Sequence, residues 1–180
     1  MDTKIIAKQF NRVPRGPQPA LDADIVKRVR ETVGGQHFSQ TLDITTVSIE
    51  YGQVTMKMPV QPKVYQQLGY VHGGAITSLL DTATGMCSMT LIGEDEATLT
   101  TELKVNFLGP GEGEYLLGTA RTIKNGSKLL IMEAEAIAVF ADGRTRDVAH
   151  MTTTYIRMPR PAWRAPAMCL RKFTCSGLSR

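Results

Sequence analysis

The pattern of apolar and polar positions predicts one helix, two strands, a long apolar helix and then four strands, or three if the last two merge. In the first helix apolar residues recur at near-helical spacing, and Asp22 or Asp24 can cap its start. The strands alternate or carry apolar runs bounded by Gly, Pro, Asn and Asp. In chain order the predicted elements are a helix ending at 34–35, strands 42–50 and 54–60, a helix from 74 to about 91, and strands 98–108, 115–124, 129–140 and 145–158.

The order of these elements predicts an α+β fold built on one antiparallel sheet. Consecutive strands are joined by short turns, which is the usual connection between antiparallel neighbours. The helix that begins at Gly74 is apolar on nearly all sides, so we expect it to be buried. A sheet with one face to cover and one buried helix predicts that the sheet wraps around that helix.

The chain of 180 residues is long enough for one domain with its own core. We expect a flexible N-terminal arm at 1–20, a single domain with its leading helix at 21–158, and a basic C-terminal tail at 159–180. Six cations from Arg157 onward account for the net charge of +4. The rest of the chain is nearly neutral, and we therefore expect no nucleic-acid partner.

Other patterns limit the location and the chemistry of the protein. No apolar run approaches the ~20 residues of a membrane span, and the N-terminus lacks the apolar core of a signal peptide. The cysteines are three in number and form no CxxC pair, which indicates reduced thiols and gives no metal site. We expect a cytoplasmic protein without a membrane partner.

Asp81 is an acid that interrupts the apolar helix between Leu80 and Ala83. A buried carboxylate costs several kcal/mol unless it is paired or hydrogen-bonded, so Asp81 is either a structural acid or a catalytic group. The helix start at Gly73 and Gly74 leaves backbone N–H groups unpaired at the positive end of the helix dipole. Such donors can stabilise an oxyanion by about 3 to 4 kcal/mol each, although glycines also permit a tight strand-to-helix corner.

The spacing along this helix predicts a homodimer. Eight residues separate Gly73 from Asp81, which corresponds to about 12 Å along the axis. The two groups of one helix therefore cannot reach the same carbonyl. If they act together, they come from two copies of the chain, with the helices antiparallel across a two-fold axis that creates two equivalent sites.

Three other side chains near this segment are weaker candidates. His72 precedes the helix and could act as a base, although a histidine in that position is more often a structural group. Ser78 lies inside the helix without a GxSxG motif, so a serine hydrolase is not supported. Cys87 lies on an apolar helix and is best interpreted as a core residue. We therefore rank Asp81 first.

These motifs resemble the hotdog-fold acyl-CoA thioesterases, in particular the phenylacetate-pathway (PaaI-like) type. The family pattern N-x-x-G-x-V-H-G-G, followed by a helix with an acid, corresponds here to residues 66–74 and Asp81. The run 100–110 looks like the third strand of that family, and the turn at 126–128 also fits. The resemblance covers about residues 42–158.

The resemblance implies a dimer, often doubled to a dimer of dimers, that hydrolyses a CoA thioester without metal or cofactor. It implies that the N–H of Gly73 polarises the thioester carbonyl, with His72 shaping the turn, and that Asp81 of the partner acts as nucleophile or general base. Thr100, or Thr101 one step along, would help to place the water or the carboxylate. Gln66 stands where the family usually has Asn. The substrate-binding residues implied are Gly74 at the helix start and, near the CoA nucleotide, Asn125, Gly126, Ser127 and Lys128.

Two alternative functions remain open at this point. One is an acyl-thioester dehydratase of the same fold that uses His72 as its base, and the other is a protein that binds acyl-CoA as a sensor without cleaving it. The acyl group itself, aryl or medium-chain, is not determined by the sequence. We expect its pocket to be lined by mixed aromatic and methionine side chains, namely Tyr65, Tyr70, Met86, Met89 and Phe107.

Overall fold

A computed structural model describes residues 20–160 of the chain. The predicted arm and tail lie outside this range apart from residues 20, 159 and 160, so both stay predictions. None of the described helices is long and apolar enough to span a lipid bilayer. The elements are α1 (Ala23–Gly35), α2 (His37–Thr41), β1 (Thr45–Glu50), β2 (Gln53–Pro59), a 3₁₀ turn (Pro62–Val64), α3 (Gly73–Met89), β3 (Glu96–Phe107), β4 (Tyr115–Asn125), β5 (Leu129–Val139) and β6 (Thr145–Pro159).

The six strands form one antiparallel sheet in the order β1-β2-β4-β5-β6-β3. Helix α3 packs against five of them, β2 to β6, so the sheet wraps around the helix as the sequence predicts. The helix lies close to the sheet at Gly118 of β4, where an added Cβ would lie 2.8 Å from Cγ of Leu79. This glycine allows the helix to rest directly on the centre of the sheet.

Helix α1 begins at the predicted cap, because the Asp22 side chain accepts a hydrogen bond of 2.9 Å from the N–H of Asp24. It buries Val29 and Val33 in the main core. Arg28 of α1 donates to the carbonyls of Met89 and Ile92 at 2.9 and 2.8 Å. This guanidinium satisfies carbonyls at the C-terminal end of α3 and ties the leading helix to the central one.

The predicted first strand begins later than the sequence suggests. The prediction started it at Leu42, but β1 starts at Thr45 because α2 and a turn occupy the preceding residues. Asp43 in that turn has a φ of 52°, in the left-handed region, which ends any extended run through it. The remaining predicted strand bounds agree with the structure to within two residues.

Candidate active site

The start of α3 is held by the segment that precedes it. The N–H of Val71 donates to the carbonyl of Gly111, and the N–H of His72 donates to the carbonyl of Val64, both at 2.8 Å. His72 is the N-cap, and its Nδ1 accepts a hydrogen bond of 2.8 Å from the N–H of Gly74. The Gly74 amide is therefore engaged by the histidine, contrary to the expectation that both glycine amides are unpaired.

The amide of Gly73 differs from that of Gly74. Among residues 20–160 its N–H has no hydrogen-bond acceptor, and it is the first residue of a helix of 17 residues. This donor lies at the positive end of the helix dipole and is available to an anionic or polarised oxygen.

A cleft of about 500 Å³ opens beside Gly73. The ring of Phe107 covers one side, with its Cζ 3.0 Å from the position that a Cβ on Gly73 would take. Gln66 and Tyr70 lie on the loop that forms another side, and this loop turns at Gly69, whose φ is +81°. Gln66, which the family resemblance implied, thus lines the same cleft as His72 and Gly73. The cleft is lined by Gln66, Gln67, Tyr70, Val71, His72, Gly73, Ile76, Phe107, Gly109, Pro110 and Gly111.

Asp81 lies two turns further along α3 and is partly exposed. Its Oδ1 accepts a hydrogen bond of 3.0 Å from Oγ1 of Thr100 and one of 3.2 Å from the phenol of Tyr155. Thr101 points elsewhere, since its hydroxyl donates to the carbonyl of Thr154. A β-bulge between Thr100 and Glu102 decides this choice between the two threonines.

Sequence reasoning missed Tyr155. It pairs with Thr100 across β3 and β6, and both side chains reach the same carboxylate. Burial, and then the charge of Asp81, raise the pKa of the Tyr155 phenol well above its usual range. The phenol therefore stays protonated and acts as a hydrogen-bond donor. The available signal was a tyrosine on the inward-facing register of the last strand, because a buried phenol needs a polar partner.

The predicted pocket and CoA residues separate into two ends of the protomer. Tyr70 and Phe107 line the cleft at the start of α3, but Met86 is a core residue near the other end of the helix. The β4–β5 turn also lies at that far end. Oδ1 of Asn125 in this turn accepts a hydrogen bond of 2.8 Å from the guanidinium of Arg157. Tyr65 and Met89 do not line the cleft. In the β4–β5 turn, Ser127 and Lys128 are exposed and Gly126 is partly buried.

Gly126 has a structural reason to be glycine. An added Cβ would lie 2.6 Å from the carbonyl oxygen of Leu129, which is too close for any side chain. The Gly126 N–H donates to the same carbonyl at 3.1 Å and closes the hairpin. This glycine is explained by the turn, and a CoA contact by its neighbours stays a prediction.

The other candidate nucleophiles are occupied or buried. The hydroxyl of Ser78 donates to the carbonyl of Gly74 at 2.8 Å within its own helix. Burial raises the pKa of the Cys87 thiol to about 12, so this thiol is protonated at neutral pH. Both results agree with the interpretation of these residues as structural.

Known proteins that are similar to this chain identify its family. Residues 68–139 match the family described as the thioesterase superfamily. A solved structure of a thioesterase family protein from Silicibacter pomeroyi is 34% identical with a TM-score of 0.73, and the match covers 76% of this chain and 99% of that one. The chain belongs to the thioesterase superfamily. The predicted family, the hotdog fold and the class of thioester hydrolase are thereby confirmed.

Two further proteins are similar to this thioesterase, one in sequence and one in structure. The 1,4-dihydroxy-2-naphthoyl-CoA hydrolase of Listeria monocytogenes is 30% identical over 94 residues, which cover 52% of this chain and 76% of that protein. The structure of the E. coli PaaI protein, from the phenylacetic acid degradation operon, is 21% identical with a TM-score of 0.67. The match covers 77% of this chain and 96% of the PaaI chain. The second likeness is one of fold.

Proposed function

We propose that this thioesterase hydrolyses acyl-CoA thioesters to a free acid and CoA at a site shared by two subunits. The observation that carries the proposal is the pair of complementary groups on α3. Gly73 offers an unengaged N–H at the start of the helix, and Asp81 offers a carboxylate two turns later. Hydrolysis of a thioester needs a donor for the carbonyl oxygen and a nucleophile or general base for the attack, and a carboxylate can serve as either.

In the proposed reaction the Gly73 N–H binds the thioester oxygen and stabilises the negative charge that develops on it. Asp81 of the partner subunit either takes a proton from a water that attacks the carbonyl carbon, or attacks that carbon itself and forms an anhydride that water then opens. In both routes the C–S bond breaks, the thiolate of CoA leaves and is protonated, and water supplies the second oxygen of the acid.

The need for a partner follows from geometry. Gly73 and Asp81 of one helix are about 12 Å apart, and only Gly73 lines the cleft. Two antiparallel α3 helices related by a two-fold axis near Thr77 would place each Gly73 opposite the Asp81 of the partner subunit. The same arrangement brings the far end of one protomer, with its β4–β5 turn, toward the cleft of the other. We propose that the CoA nucleotide contacts that turn.

The surface around α3 supports such a dimer. β3 is an edge strand that pairs on one side with β6, so its other side is free within the described residues. Leu103 and Phe107 on this strand are 38% and 55% exposed. On α3, Gly74 is exposed, and Ser78 and Asp81 on the following turns are partly exposed. An unpaired edge with exposed apolar side chains is a typical pairing surface for a second chain. Doubling of this dimer to a tetramer remains part of the proposal.

The histidine argues against the dehydratase alternative. Nδ1 of His72 accepts a hydrogen bond from the Gly74 N–H, so that nitrogen carries no proton. The neutral ring therefore carries its proton on Nε2, and neither nitrogen has a free lone pair to act as a base. In our proposal His72 holds the helix start, and Asp81 remains the group that activates water or attacks.

The test is release of free CoA, measured with a thiol reagent over a panel of aryl-CoA and fatty-acyl-CoA substrates. We expect turnover of at least one class by the wild-type chain and its loss in Asp81→Asn, which keeps the size of the side chain. Unchanged turnover in Asp81→Asn would refute the role of the carboxylate. Binding of acyl-CoA without thiol release would instead favour the sensor alternative, and the panel identifies the acyl class at the same time.

A further inference from the structure

The carboxylate of Asp81 is held at one of its two oxygens. Oδ1 accepts from Thr100 at 3.0 Å and from Tyr155 at 3.2 Å. Among residues 20–160 no donor reaches Oδ2, and no cation forms an ion pair with this side chain. Two hydroxyl groups therefore fix the orientation of the carboxylate and leave its second oxygen uncommitted.

The phenol of Tyr155 is itself fixed in place. Its oxygen lies 3.0 Å from Oγ1 of Thr84 and 3.1 Å from the backbone carbonyl of Asp81, and the residue is 3% exposed. The phenol has one proton to donate, and a carboxylate is a stronger acceptor than a carbonyl, so the proton belongs with Oδ1.

Gly85 lies one turn after Asp81, and an added Cβ there would be 3.4 Å from the Tyr155 oxygen, which is an ordinary van der Waals contact. The phenol therefore packs directly against this turn of α3.

The charged groups around Asp81 have other partners. On β3 the next ionisable side chain is Glu102, whose Oε2 accepts from Thr154. On β6 the next is Arg157, which contacts Glu96 and Asn125. On α3 the other titratable group is Cys87, which is buried and protonated at neutral pH. In the described part of the chain, the two hydroxyls are therefore the side-chain groups that hold the carboxylate.

We infer that Tyr155 is a positioning residue for the reaction, which holds Oδ1 of Asp81 so that Oδ2 faces the water or the thioester. This inference rests on the proposed function, because it concerns the same carboxylate. Tyr155 touches neither substrate nor water in this scheme and acts through Asp81. Thr100 also donates a hydrogen bond to Oδ1 of Asp81, but Tyr155 makes additional contacts with Thr84 and with the backbone of the helix.

The test compares Tyr155→Phe, which removes the hydroxyl and keeps the ring, with the wild-type chain. Loss of this donor removes one of the two hydroxyls that orient the carboxylate, so the chemical shift of the Asp81 carboxyl carbon should change. Carbon-13 NMR of the aspartate carboxyls at one neutral pH measures this change without any substrate. In turnover, kcat should fall about tenfold with KM unchanged.

The matched control is Tyr115→Phe, which removes a phenol oxygen from the outer face of the sheet, where the ring packs against Lys57. It should leave the Asp81 carboxyl signal and kcat unchanged. An Asp81 signal that does not move in a folded Tyr155→Phe protein would overturn the inference, as would a rise in KM at unchanged kcat. If wild-type turnover is absent with every acyl-CoA, the proposed function fails while the NMR comparison still decides the role of Tyr155.

A second measurement covers the case in which Tyr155→Phe does not fold. In protein with carbon-13 at the tyrosine Cζ, the Tyr155 signal of the wild-type chain should differ from that of Asp81→Asn, because the acceptor of the phenol proton changes from a carboxylate to an amide. A Tyr155 signal that is unaltered by Asp81→Asn would overturn the inference.

Discussion

A site shared by two subunits predicts that two inactive variants restore activity when they are mixed. Asp81→Asn removes the carboxylate, and Gly73→Pro removes the backbone N–H. If each site takes Gly73 from one subunit and Asp81 from the other, a mixed dimer contains one site with both groups intact. If instead both groups of a site came from one chain, every mixed dimer would be as inactive as its parents.

The magnitude follows from counting sites. In a random 1:1 mixture each site has a probability of one half of an intact Gly73 and one half of an intact Asp81. About a quarter of the sites are therefore complete, whether the dimers stay separate or pair into tetramers. Each parent alone should lose about 10²-fold to 10³-fold or more in kcat, so recovery to a quarter of wild-type activity is a large signal.

The proline variant suits the local structure. Gly73 is the first residue of α3, where proline is well tolerated because its missing N–H has no partner within the helix. His72 before it has φ −61° and ψ 137°, the extended conformation that a residue preceding proline prefers. The new side chain meets only the far end of the exposed Phe107 ring. Gly73→Ala is the matched control, because it adds a similar Cβ and keeps the N–H.

The assay co-expresses the two variants with different affinity tags and measures CoA release in the total pool. Purification through both tags then keeps only mixed assemblies, in which about half of the sites are complete if the dimers stay separate. Native mass spectrometry of the same sample establishes that mixed assemblies are present. We expect recovered activity in the mixture and substantial activity in Gly73→Ala. Mixed assemblies with no more activity than their parents would refute the shared site, and full activity of Gly73→Pro would refute the role of the amide.

Two further predictions concern stability. Gly118→Ala should lower the free energy of unfolding by about 1 to 3 kcal/mol, because its Cβ would lie 2.8 Å from Cγ of the fully buried Leu79, and urea unfolding measures this loss. The Cys87 thiol should resist a thiol reagent at pH 8 in folded protein and react after unfolding. Since its folded pKa is raised from 9.0 to about 12, the folded state keeps this proton longer than the unfolded state, and stability should fall as pH rises from about 9 toward 12.

The controls for these two predictions are available in the same chain. Gly34→Ala, in the last turn of α1, has nothing within 4 Å of its Cβ and should be neutral or stabilising. Gly118→Ala as stable as wild type would contradict the packing argument. For the thiol, Cys169 and Cys175 are replaced by serine so that Cys87 alone is measured. Rapid labelling of the folded protein would contradict its burial.

The local elements were predictable because each leaves a signal over a few residues. Alternation and turn residues predicted the strands, and an apolar run after a glycine pair predicted α3 and its burial. The expectation failed at Leu42 because the left-handed backbone of Asp43 and the short α2 have no comparable signal. The candidate site followed the same division, since Gly73 and His72 were singled out from the residues around the start of α3, whereas Gln66 was named only through the family resemblance.

The sequence by itself determined the two groups of α3 to which we assign the chemistry: an amide at its start, and an acid eight residues later that is too far away to share one carbonyl with it. The tertiary structure alone decided what surrounds that acid. β3 pairs with β6 rather than with its neighbour in the chain, and this brings Tyr155 to Asp81 across 74 residues. A single bulge then turns Thr100 rather than Thr101 toward the carboxylate, because a shift of one residue in a strand reverses the face of every side chain beyond it.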